Sequence, residues 1–336
     1  MEYFIVESTK TRLESIPIAA QSHDPSELSV RIAPLNAREQ RELELHPRTI
    51  GFAPPMPVAL IKGQRTKMEK SKSKKNQSNP LGCTWGIKAV NAHATDVKGQ
   101  GVVVAVLDTG ICDHEAFKGV KICRRNFSED KSEDDNDGHG THCAGTIFGR
   151  EVNGCRIGVA PGVESALVGK VLGTRGGSTD GLVKAITWAW TNGAHVISMS
   201  LGIDLIGHQE ALVRKLGVPR KVAVSLALAH YRSNVALFDS VSELIVGHGG
   251  LTNSAVLVAA AGNESKRNRS PNYRLTLSPP AAGARFLSVA AIAQGSSEAD
   301  EQYIVASFSN IGARLAAPGV NVLSAERRRP RRFRWH

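Results

Sequence analysis

The stretch from Gly101 to Gly149 constrains this chain more than any other. Val102 to Leu107 is an unbroken apolar run rich in valine, the pattern of a strand buried on both faces of a parallel sheet. It ends at Asp108-Thr109-Gly110. In open α/β sheets, sites gather outside the carboxyl ends of strands, although Asp108 alone also fits an ordinary strand-ending turn. An acidic loop follows, and then Gly138-His139-Gly140, whose glycines let the backbone turn tightly without crowding the ring. Thr141 to Phe148 carries Cys143, Ala144, Ile147 and Phe148 at helical spacing. A histidine at that junction can turn one nitrogen towards Asp108, leaving the other as a general base. A solvated loop histidine and a metal ligand are the competing readings. His139 and His142 form an HxxH pair, but the other zinc-ligand spacings are missing.

Four motifs then occur in order: LDTGI at 107–111, DGHGTHCAGTI at 137–147, SMSLG at 198–202 and AAAGN at 259–263. Together they resemble the subtilisin-like serine proteases, over roughly residues 85–325. The resemblance implies an α/β fold, a mostly parallel sheet with helices on both faces. It implies acyl transfer by an Asp-His-Ser mechanism, with Asp108 orienting His139 and the Asn263 amide donating to the oxyanion. It also assigns Gly176, Gly177 and Ser178 to the edge that pairs with a substrate backbone. Ser200, Leu201 and Gly202 become a wall of the primary pocket, next to Ala261 and Gly262. The alternative for Gly176 to Ser178 is a plain helix-entry loop, and for Asn263 an ordinary Gly-Asn turn. The DTG at 108–110 also fits an aspartic protease, but that reading needs a second such carboxylate and leaves DGHGTH unexplained.

The formal net charge of +11 suggests nucleic-acid binding until it is located. Residues 62–75 hold seven Lys/Arg and one Glu, residues 326–336 hold six Arg and one Glu, and the remainder is neutral. A solvated linker and an aberrant tail explain this better than a binding face, so no nucleic-acid partner is expected. No apolar run is long enough to span a bilayer, and no secretory signal opens the sequence. The expectation is a cytoplasmic monomer acting on peptide or protein, without a membrane partner. The five cysteines are expected to be free thiols, with one disulfide not excluded.

Residues 1–62 read as a small α/β unit, with strands at Tyr3 to Val6 and Leu28 to Ile32, a helix at Ala37 to Leu45, and an extended return from Ile50 to Ile61. The unit resembles the propeptides of the family, which lay their C-terminal end in the substrate groove. Residues 63–80 form a basic flexible linker, and residues 81–325 an incomplete peptidase domain. The acidic loop at 129–137 reads as solvated, because its spacing fails the EF-hand pattern. No organic cofactor is implied, no metal site is assigned, and structural calcium stays open with its ligands unidentified. Residues 203–250 form a long insert of one helix or two. Closing strands are expected at Phe286 to Ile292, Ile304 to Phe308 and Leu315 to Ala325.

The motif expected next, Gly-Thr-Ser-Met-Ala, is absent, and residues 326–336 (ERRRPRRFRWH) read as an out-of-frame end. The chain as written is therefore expected to be inactive, with apolar sheet surface left bare. The alternative is a non-catalytic relative that binds peptides or a protease partner.

Overall fold

The structure is a computed structural model and describes residues 1–8, 28–61, 83–247, 254–295 and 303–327. The predicted linker at 63–80 and residues 328–336 of the tail lie outside the described residues. The first half of the chain contains β1 (Glu2–Ser8), β2 (Leu28–Pro34), α1 (Ala37–Leu45), β3 (Thr49–Ala53), β4 (Pro57–Leu60), α2 (Trp85–Ala89), β5 (Val103–Asp108), β6 (Lys121–Asn126), α3 (His139–Phe148), β7 (Glu151–Val152), β8 (Cys155–Arg156) and β9 (Ser165–Lys170). The second half contains β10 (Gly177–Ser178), α4 (Thr179–Thr191), β11 (Val196–Met199), β12 (Leu201–Ile203), α5 (Leu205–Leu216), α6 (Arg220–Gly247), β13 (Val256–Ala260), β14 (Phe286–Gln294), β15 (Tyr303–Val305) and β16 (Leu315–Pro318).

The main sheet runs β15-β14-β13-β11-β5-β9-β6, with β16 also beside β14. Every pairing is parallel except β14 with β15. The apolar run of β5 lies between β11 and β9, so its two faces point into two cores. Ala105 and Leu107 share a core with Ile197, Met199, Leu257 and Ala259 and with Leu182, Ile186, Phe238 and Val241 of α4 and α6. Val104 and Val106 pack with Ala166, Val168 and the α3 residues Ala144 and Phe148. Each such buried aliphatic side chain contributes about 1.5–3 kcal/mol. The α/β sheet with helices on both faces is thus present.

The N-terminal strands form their own antiparallel sheet, β2-β1-β3. A capping box at Asn36 and Glu39 starts α1. The inner face of this sheet, Phe4, Val6 and Ala53, joins the core that includes Leu237 and Phe238 of α6. Gly51 permits that approach, since a Cβ there would meet Leu237 Cδ1 at 2.7 Å. The side-chain amide of Asn234 donates to the Pro54 carbonyl at 2.9 Å. The insert is therefore a helical pair, and its longer member seats the N-terminal unit.

Three expectations change. The extended return is two strands, and β4 leaves the N-terminal sheet to pair between β10 and β12. Pro54 and Pro55 separate the two, because proline cannot donate to a ladder, and Pro57 opens β4. The strand predicted over Leu315 to Ala325 stops at Pro318. Beyond it the chain straps α3, with the Ser324 hydroxyl donating to the His142 carbonyl at 2.7 Å. Finally, β15 ends at Val305 rather than reaching Phe308.

Candidate functional site

Asp108 is the last residue of β5, only 1% exposed, and accepts the Thr109 N–H at 2.7 Å on Oδ1. His139 is the first residue of α3, entered through Gly138 at φ 102°, a conformation that favours glycine. Gly140 packs directly on the Gly110 carbonyl, and a Cβ at 140 would stand 2.2 Å from that oxygen. This contact brings α3 against the end of β5. His139 Nδ1–H donates to Asp108 Oδ1 at 2.9 Å and lies 3.0 Å from Oδ2. Nδ1 is then committed to Asp108 in either charge state, and Nε2 is the nitrogen left to exchange a proton.

Burial disfavours the His139 imidazolium, but the charge and hydrogen bond of Asp108, helped by Cys143, outweigh it and raise the pKa to about 11. Cys143 lies one helical turn on, its Sγ 3.6 Å from His139 Nδ1 and 3.7 Å from Ser200 Oγ. Burial, with the Asp108 charge, pushes its thiol pKa up. Asp108, His139 and Cys143 bring ligand-type atoms within 4.8 Å of one another. Within this trio the carboxylate and imidazole hydrogen-bond to each other, with the thiol as their neighbour. His142 turns away and donates Nε2–H to the Val322 carbonyl at 3.0 Å. The HxxH pair therefore does not converge.

His139 faces a cavity of about 2020 Å³ shared with Cys143, Ser200, Ala261, Asn263 and Ile61. Val258 and Ala260 of β13 and Val289 and Ala291 of β14 also line it. Gly262 does not reach the cavity. It turns at φ 112°, and a Cβ there would meet Asn310 Nδ2 at 2.2 Å.

A groove leads into this cavity and is filled by β4. Val58 pairs with Gly177 and Pro57 with Ser178 on one side. Leu60 pairs with Leu201, Ala59 with Gly202 and Val58 with Ile203 on the other. The Ile61 N–H donates to the Ser200 carbonyl at 3.3 Å. Gly176, at φ 87°, lies close to the Val58 carbonyl. Val58 and Ile61 are buried while Ala59 is exposed. The segments around Gly176 to Ser178 and Ser200 to Gly202 are thus brought together around one extended strand.

The acidic loop is largely exposed, as its composition leads one to expect, with two exceptions at Asp130 and Asp135. Lys170, 1% exposed, reaches Asp130 at 3.0 Å and donates to the Asp134 carbonyl at 2.7 Å. At the surface, Arg175 pairs with Glu129 and Arg124 lies 3.6 Å from Asp134. Asp135 is buried. Composition averages over such a run, so it hid the one inward-facing carboxylate. The spacing of His139 and Cys143, four apart on a predicted helix, was the available signal for the thiol neighbour. Apart from the propeptide resemblance of residues 1–62, nothing in the residues themselves signals that Ile61 enters the cavity.

Among the described residues, no helix is long and apolar enough to cross a membrane.

Comparison with known proteins gives one answer. The sequence profile of the Subtilase family matches residues 99–332. The thermostable alkaline protease of Halalkalibacterium halodurans is 34% identical over 71% of this chain and 54% of its own length. The major intracellular serine protease of Bacillus subtilis is 34% identical over 71% of this chain and 64% of its own length. The chain thus spans between half and two thirds of these two relatives. Fervidolysin from Fervidobacterium pennivorans, a keratinolytic enzyme related to subtilisin, superposes with a TM-score of 0.59 at 20% identity, over 97% of this chain and 48% of that one. At that identity the match speaks to the fold.

Proposed function

This chain belongs to the subtilase family, and from that premise we propose that Asp108 and His139 form the base of an Asp-His-Ser endopeptidase site acting on extended polypeptide. One observation carries the reading. A strand of the chain itself, β4, lies in the groove between β10 and β12 and delivers Ile61 to the cavity that His139 lines. A groove that takes an added strand through main-chain hydrogen bonds is a peptide site. In the proposed roles, Asp108 holds the imidazole and His139 takes the nucleophile's proton and passes it to the leaving amine. Asn263 donates to the oxyanion; in subtilisin itself, losing such a donor costs ~10²–10³ in turnover. Residues 1–62 act as a propeptide-like unit whose strand β4 fills the groove and brings Ile61 to the cavity that the pair lines. No organic cofactor enters the reaction, and any structural calcium would sit away from the pair.

The serine is the open term. The 336 residues contain no Gly-Thr-Ser-Met-Ala sequence, and in subtilisin loss of the serine alone costs ~2 × 10⁶ in turnover. We therefore infer that these residues, as they stand, bind extended peptide without cleaving it. The filled groove favours that second reading.

A fluorophosphonate probe, which reacts with an activated serine, separates the two. The 336-residue chain is expected to stay unlabelled, and labelling that depends on His139 would overturn the binding-only reading. Translating the codons after Ala325 in all three frames is expected to reveal the serine motif. Finding none in any frame would favour a peptide-binding protein.

A further inference from the structure

Asp135 stands apart from the acidic run around it. Glu133, Asp134 and Asp137 are exposed, whereas Asp135 is 1% exposed. Its Oδ1 accepts the Thr109 hydroxyl at 2.8 Å, the Asp137 N–H at 3.0 Å and the Gly138 N–H at 2.7 Å. Its Oδ2 accepts the Thr141 N–H at 2.9 Å and the Thr141 hydroxyl at 2.6 Å. One carboxylate thus collects five donors. Those from Gly138 and Thr141 belong to the start of α3, where backbone N–H groups lack helical partners and an anion is favoured.

The Thr109 hydroxyl extends the network. Its oxygen also accepts the Gly140 N–H at 2.8 Å, and Thr109 directly follows Asp108. One polar path therefore runs from the end of β5 through Thr109 and Asp135 into the first turn of α3, which carries His139. The packing contact at this point is glycine on glycine, Gly140 on Gly110. It allows close approach, but it has no side chains to interlock. Farther along α3, Ala144 and Phe148 pack on Val104 and Val106 of β5, so at the first turn, where His139 sits, the polar groups supply the side-chain contacts.

We propose that Asp135 is a positioning residue, clamping the start of α3 to the end of β5 and so fixing the hydrogen bond between His139 and Asp108. The proposal rests on the reading of that pair as a general base. Asp135 itself touches neither ring nor substrate groove. A misplacement of about 1 Å in such a group costs on the order of 10²-fold in rate, so the clamp bears directly on function.

The test uses the full 336-residue chain and the Nδ1 proton of His139. A proton held between imidazole and carboxylate gives a far-downfield NMR resonance, assigned by its loss in His139→Ala. Asp135→Asn places an N–H₂ group against N–H and O–H donors and is expected to abolish the resonance. Should Asp135→Asn fail to fold, Thr109→Val decides. It keeps the shape, removes only the bridging hydroxyl, and leaves Asp135 four of its five donors. It is expected to lose the resonance, and Thr109→Ser to restore it, while amide exchange in β9 and β11 stays as in the parent. A folded Asp135→Asn or Thr109→Val chain that keeps the parent resonance overturns the clamp and leaves the pair intact. A folded parent without any such resonance refutes the pair, and the clamp with it.

Discussion

Replacing Val58 with aspartate asks whether β4 is held in the groove as a peptide would be. Val58 is 3% exposed and belongs to the main core. Removing its side chain from that environment loses about 1.5–3 kcal/mol. The carboxyl group there protonates rather than stay charged, and leaving that neutral polar group unpaired adds roughly 1–3 kcal/mol on the scale of protein mutational data. The sum, about 4 kcal/mol, lowers the occupancy of the groove by about a thousandfold. The amides that report it are known. Thr179 N–H donates to the Met56 carbonyl at 3.0 Å, Asp204 N–H to the Pro57 carbonyl at 2.9 Å, and Ile61 N–H to the Ser200 carbonyl at 3.3 Å. Hydrogen exchange at these three amides should accelerate about a thousandfold in Val58→Asp, with the β5 amides unaffected. Ala59→Asp, one residue along at an exposed position, should stay within about 0.5 kcal/mol of the parent. Equal behaviour of the two variants would mean that β4 is not seated by its side chains, and the peptide-site argument would fall with it.

Three further outcomes follow from the same geometry. Gly140→Ala would place a Cβ 2.2 Å from the Gly110 carbonyl oxygen. Neither backbone can yield, so a loss of about 3 kcal/mol in urea unfolding is expected, and an unchanged midpoint would contradict the contact. In Asp108→Asn the His139 pKa should fall well below about 11, because the Asp108 charge that outweighs burial is gone and only the weaker help of Cys143 remains. An NMR titration reads this directly, and a midpoint still near 11 would remove Asp108 as the cause. His208 and His230 hydrogen-bond at 2.9 Å between α5 and α6, and burial, with the neighbouring His208, lowers the His230 pKa to about 4. A histidine with a depressed folded pKa contributes stability above its unfolded pKa of 6.5 and loses it as pH falls towards 4. Up to about 3 kcal/mol is at stake, and the acid-side drop in melting temperature should flatten when both histidines are replaced by leucine.

How much of this was legible in the sequence depended on whether the signal was local. The strand β5 and the helix α3 were readable because a doubly buried strand is continuously apolar and a helix repeats every three to four residues. Asp108 and His139 followed from where those two elements end and begin. The groove walls came only from family resemblance, since Gly177 and Leu201 carry no chemistry of their own. The partners of β4 were hidden because strand pairing is set across more than a hundred residues, so Pro57 to Leu60 could be read as extended without showing which strands it joins. The helix α5 was blurred by Ile206 and Leu216, apolar residues that the fold leaves exposed. Asp135 disappeared into a charge run whose average property, solvation, is true of most of its neighbours.

The central claim is that His139, held by Asp108, is a general base awaiting a serine at the edge of its cavity. The direct measurement is fluorophosphonate labelling of this chain joined after Ala325 to the serine-bearing segment of a subtilase, with and without His139→Ala. Labelling that proceeds with His139 and falls by a thousandfold or more without it is the predicted result, within the ~10⁶ range measured for subtilisin's own histidine. A folded, extended chain that labels equally with and without the imidazole would contradict the account.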